Sequence, residues 1–179
     1  MPKEILRLGV LAQLRPPVTR WSSGELRALM VLPAEPATAP GTCLSREDGL
    51  ETWYLGGRDL VLWSGDASHH QDNLNSGRPS VWVALRGSDP ARAEVIAVTV
   101  DPYEGEGLAS DPELIVDAVP MPEPIARSVA AFAQAHYFEM PFKKRQRQPV
   151  DPNAMSSRAP RILQPEDKWE TRKGRRSDP

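Results

Sequence analysis

The side chains of this chain that could do acid, base, nucleophilic or metal chemistry are three histidines, one cysteine and a crowd of carboxylates. His69 and His70 are adjacent. Side chains of adjacent residues diverge on a strand and lie about 100° apart on a helix, so such a pair is ill suited to one ion. No Cys/His pair has the spacing of a zinc site, and neither metal nor cofactor is expected. His136 falls on the apolar stripe of a helix and reads as a buried, hydrogen-bonded histidine. Cys43 is the only cysteine and has no motif around it, so it reads as a plain thiol. Asp101, Glu104, Glu106, Asp111 and Glu113 include pairs that would suit acid/base work. Crowded between two apolar runs, they read instead as a solvated acidic rim. No phosphate-binding glycine loop and no G-x-S-x-G elbow is present, so no catalytic residue is assigned. Tyr103 and Glu104 directly follow an apolar strand, and with Arg86 they form a candidate pocket. Trp53, Trp63 and Trp82 lie on predicted strands and are expected to fill the core, an exposed one marking a contact surface.

The elements that must position these groups are mostly strands. Leu6, Leu8, Val10, Ala12 and Leu14 alternate with period two, the pattern of a half-buried strand that Pro16-Pro17 ends. Leu26 to Leu32 is a second strand, and residues 33–49 read as a long surface loop. Residues 52–63 read as a hairpin turning at Gly56-Gly57. Ser68 to Asn75 reads as a short helix. Ser80 to Arg86 and Glu94 to Val100 are apolar on both faces, which places them centrally, and the turn at residues 87–90 pairs them antiparallel. A short helix is expected to start near Asp101, and a strand to run from Leu114 to Val119. Pro122-Glu123-Pro124 then opens a helix on which Ile125, Val129, Phe132 and His136 form one stripe, closed by Pro141. The expected fold class is α+β: a mainly antiparallel or mixed β-sheet, with a C-terminal helix packed on one face and a disordered tail.

Charge divides the chain at the same place. Residues 1–142 carry 11 Lys/Arg against 19 Asp/Glu, a net of −8. Residues 143–179 carry 11 against 5, a net of +6. The reading is one domain over 1–142 and a basic, largely disordered tail over 143–179. About 140 folded residues bury roughly two thirds of their unfolded surface, enough for a core without disulfides. Lys143, Lys144, Arg145 and Arg147 are the candidate partner contact. The acidic body repels a polyanion, so a protein partner is favoured over nucleic acid. No signal peptide and no apolar run of membrane-spanning length is seen, which gives a cytoplasmic protein without membrane contact.

Several segments together carry a resemblance. They are Arg78 to Arg86, Val98 to Glu104, Glu113 to Pro122, the helix exit from His136 through Phe142 to Arg147, and the opening Glu4 to Val10. In these the chain resembles the uncharacterised bacterial domain-of-unknown-function family thirty-three-oh-five, over about residues 3–155. The resemblance implies a protein encoded near molybdenum-dependent formate dehydrogenase genes, some relatives being labelled molybdopterin-guanine dinucleotide biosynthesis proteins. It implies no catalytic residues. The guanylyltransferase of that pathway opens with Leu-Ala-Gly-Gly after its first strand, where this chain has Pro16-Pro17, and its strands alternate with helices as these do not. The reading is therefore a non-enzymatic accessory protein in assembly or regulation of that dehydrogenase, with a dehydrogenase subunit or maturation factor as partner. A molybdopterin-cofactor biosynthesis or binding protein is the alternative, and a nucleic-acid binder acting through the basic tail is a second.

Overall fold

The computed structural model describes residues 2–17 and 24–137. It contains seven strands and three helices in the order β1 (Lys3–Arg15), β2 (Glu25–Leu32), β3 (Thr42–Glu47), β4 (Leu50–Trp63), α1 (Ala67–Asn75), β5 (Ser80–Arg86), β6 (Glu94–Thr99), α2 (Pro102–Ala109), β7 (Leu114–Pro120) and α3 (Glu123–His136). One sheet has the order β2-β1-β4-β3 and the other β6-β5-β7, every pairing antiparallel. The expected α+β class, with a helix following an antiparallel sheet, is what forms.

The alternation in β1 does what it promised. Leu8, Val10 and Ala12 are fully buried, and Leu6 and Leu14 pack on the rim of the same core. That core is shared by both sheets: Val31, Leu60 and Leu62 come from the first, Val81, Val83, Leu85, Val98 and Val119 from the second. Ile125, Val129 and Phe132 of α3 close it. At the open edges β2 lies beside β7 and β4 beside β6. The first seam is bound by a side chain. Asp117 Oδ2 accepts the Ala28 backbone N–H at 2.8 Å, and its Oδ1 accepts from the Arg27 guanidinium at 2.9 Å. A bulge skips Leu29 in the β1–β2 ladder just beyond Ala28. β5 is the central strand of its sheet, as expected. β6, also expected to be central, is hydrogen-bonded on one side alone, and its residues 95–97 are half-buried.

Two readings of the 33–63 region are corrected. The predicted loop contains β3, a short polar edge strand whose composition hides it. The predicted hairpin is a single strand, β4, that runs straight through Gly56-Gly57 and pairs with β1 along its length. These glycines are needed for close approach, not for a turn. The proline-rich segment after β2 folds back over the outer face of β1 and β4. Pro36 covers Gly9, Pro40 covers Gly56, and the Glu35 carboxylate rests on Gly57, where a Cβ would collide with it. Gly56 also has φ +124°, a conformation open chiefly to glycine. Arg7 fixes Glu35, its Nε donating at 2.7 Å, and also reaches Asp59 at 3.0 Å. This pairing holds the Glu35 carboxyl below its usual range.

Tyr54 lies under the same segment, 1% exposed. Its hydroxyl is buried with no hydrogen-bond partner among the described residues. Burial raises its pKa. An unpaired buried hydroxyl costs about 1–3 kcal/mol, so Tyr54→Phe should leave urea stability at neutral pH unchanged or higher. The pH dependence follows from the sign of the shift. The folded pKa lies above the unfolded value near 10, so the unfolded chain loses its proton first. Stability is whole below about pH 10 and falls as pH rises beyond it. Urea melts at about pH 8 and pH 11 should show a smaller alkaline loss in Tyr54→Phe than in the wild type.

Candidate functional site

The chemistry-bearing side chains gather where β6 ends and two helices begin. Asp101 leaves β6 and caps α2, its Oδ1 accepting the Tyr103 backbone N–H at 2.9 Å. Pro102 at the first helical position suits this start, since its missing N–H is one the helix would leave unpaired anyway. The second carboxylate oxygen of Asp101 lies 2.8 Å from His69 Nδ1. A carboxylate only accepts, so in this contact Nδ1 is the donor. The Tyr103 ring lies against the His69 ring, centroids 4.6 Å apart. Glu104 turns back to the strand end and accepts from Thr99 Oγ1 at 2.6 Å. Thr99 Oγ1 in turn accepts the Asp101 backbone N–H at 3.1 Å.

α1 brings the histidines. A single 3-10 turn, Ser64–Asp66, carries the chain from β4 into it. Asp66 occupies the N-cap position, but its side chain makes no capping hydrogen bond. One oxygen of Asp66, one nitrogen of His69 and one oxygen of Asp101 lie within 4.8 Å of one another. Asn73, one turn further along, locks α1 in place. Its amide donates to the carbonyls of Ser80 at 2.8 Å and Val100 at 2.7 Å, and accepts the Ser80 N–H at 3.0 Å. His69 and His70 diverge as adjacency requires: the first is about one third exposed, the second 2% exposed and packed toward Phe132. Burial lowers the His70 pKa, so its ring is neutral.

The sequence-derived candidates are therefore divided. Tyr103 and Glu104 flank the cluster. Arg86 does not join them: it pairs with Glu94 and Leu114 at the other end of β5, while Trp82 faces Thr99. Four residues of strand separate the two ends, about 13 Å. Arg86 thus stands at the far end of β5 from Tyr103 and Glu104. The described cavities lie elsewhere, one of about 550 Å³ being lined by Arg27, Ser88, Ala109 and Val116. His136 is half-buried, not buried, its ring tilted against that of Phe132 at the helix end, centroids 4.5 Å apart. Trp53 and Trp82 are half-buried, whereas Trp63 is 43% exposed beneath the Lys3 ammonium. Asp66 was not singled out by sequence, and its signal was slight: an Asp three residues before a histidine at a helix start. Lys143, Lys144, Arg145 and Arg147 lie outside the described residues, as do Pro141 and the helix exit.

Fold and cluster together define a small two-sheet α+β protein with a His-carboxylate group at the mouths of two helices. The chain belongs to the DUF3305 family of proteins of unknown function, whose family model matches residues 7–146. No curated protein and no solved structure matches the chain. Among the described residues no helix is long and apolar enough to cross a membrane.

Proposed function

We propose that this chain is a non-enzymatic accessory protein that acts by binding another protein, in the assembly or regulation of a molybdenum-dependent formate dehydrogenase. The partner on this reading is a dehydrogenase subunit or a maturation factor. The observation that carries it is the extent of the family match, residues 7–146. That span runs past α3 and takes in Lys143, Lys144 and Arg145, with Arg147 just beyond it. The basic run thus goes with the family's common unit and not with the remainder of the tail. A compact cationic run next to an acidic body suits an acidic protein surface better than a polyanion, which the body would repel.

Affinity purification of the full chain from its native host provides the test. The wild type should recover a formate dehydrogenase subunit or a cofactor-insertion factor. A variant with Lys143, Lys144, Arg145 and Arg147 changed to Ser should lose it. Unchanged formate dehydrogenase activity after deletion of the gene would overturn the reading.

A further inference from the structure

We infer that Asp66, His69 and Asp101 form a binding site for one divalent transition-metal ion of the Mn²⁺, Fe²⁺ or Zn²⁺ class. Two carboxylate oxygens and one imidazole nitrogen make a mixed hard and borderline donor set. Imidazole favours such ions over Mg²⁺ and Ca²⁺, and the lack of sulfur disfavours Cu⁺. The separations fit. Two ligands at right angles, each about 2.1 Å from an ion, stand about 3 Å apart, and His69 Nδ1 lies 2.8 Å from Asp101 Oδ2. All three donors fall within 4.8 Å, and opposite ligands on one ion stand a little over 4 Å apart. The ion takes the place of the proton between Nδ1 and Oδ2, and that proton moves to Nε2.

The surroundings support the assignment. Asp66 spends nothing on capping α1, so its carboxylate is free to turn toward the ion. Among the described residues neither Asp66 nor Asp101 is ion-paired with a Lys or Arg. Asp101 is already oriented through its second oxygen by the Tyr103 N–H, the kind of outer contact that fixes a metal ligand. His70, the next residue along α1, is turned away from the three donors toward Phe132, so the site draws on one histidine alone. Three protein ligands leave further positions to water, an open site in form.

The test uses the full chain without a purification tag, stripped with a chelator. Zn²⁺ is titrated by calorimetry and Mn²⁺ by electron paramagnetic resonance. The expected result is one equivalent bound, with a rise in melting temperature on adding Zn²⁺. Asp66→Asn and His69→Ala should each weaken binding by about ten-fold or more, while His136→Ala leaves it unchanged. Among the described residues Asp66→Asn removes no side-chain hydrogen bond, so its circular dichroism should match the wild type and separate loss of the site from loss of structure. Two outcomes overturn the site: no saturable binding up to about 1 mM, or binding that Asp66→Asn and His69→Ala leave intact.

Discussion

Gly105→Ala should lower stability by about 2 kcal/mol, while Gly107→Ala, two residues along the same helix, should raise it by up to about 1 kcal/mol. Helix propensity favours alanine at both positions, by about 0.8–1 kcal/mol. The surroundings reverse the sign at the first. Gly105 is buried, and α2 lies with its backbone flat on the Trp82 indole, so an added Cβ would drive into that ring. Overpacking of this kind costs about 1–3 kcal/mol, occasionally more, and here the obstacle is a rigid, half-buried aromatic. At Gly107 a Cβ meets nothing within 4 Å, so the propensity gain stands alone. Urea denaturation of the two variants gives the signs directly. A cycle with Trp82→Leu identifies the cause: Gly105→Ala should cost less in the Trp82→Leu background, where the ring is gone. Equal costs in both backgrounds would mean that the indole is not what the methyl meets. The helix matters beyond its own stability, because Asp101 and Tyr103 are fixed by its first turn.

What could be read in advance depended on whether a residue's partner was near it in the chain. β1 and α3 declared themselves through period: Leu8, Val10 and Ala12 along one, Ile125, Val129 and Phe132 along the other, each set pointing into the core. The same reasoning overreached at His136, where the stripe continues but the helix runs past the edge of the core. Gly56-Gly57 misled for a related reason. Two glycines between apolar runs signal a tight turn, yet here the demand on them comes from Glu35 and Pro40, some 16 to 22 residues earlier. β3 was hidden because an edge strand with one covered side needs little apolar content. At the candidate site, Tyr103 and Glu104 were legible because they follow a strand end. The pairing of His69 with Asp101 spans 32 positions and exists only once α1 packs on α3 beside the end of β6, so no local pattern could announce it.

One amide ties α1 to the ends of β5 and β6. Asn73→Ala should cost about 3 kcal/mol and displace His69 from Asp101. Asn73 is 3% exposed and makes three hydrogen bonds, two of them to the backbone of Ser80 at the start of β5 and one to the Val100 carbonyl at the end of β6. A hydrogen bond contributes about 1 kcal/mol, and each buried partner left unpaired adds a further penalty. Alanine orphans the Val100 carbonyl most severely, since Val100 is itself 1% exposed. Asn73→Asp is the sharper control. It keeps the acceptor for the Ser80 N–H but replaces the donor with an oxygen facing two carbonyl oxygens, so it should destabilise at least as much as alanine although its size is unchanged. Leucine or threonine supplies bulk without an amide and should not restore the loss. Beyond the urea midpoint, the imidazole resonances of His69 report the local effect. In the metal-free wild type the Nδ1 proton, facing the Asp101 carboxylate at 2.8 Å, should exchange slowly and resonate downfield. In Asn73→Ala it should exchange faster and move toward the free-imidazole position under conditions where the protein remains folded. A stability loss under about 1 kcal/mol, or an unaltered His69 signal, would mean that the core contacts of α1 and not this amide set the position of the site.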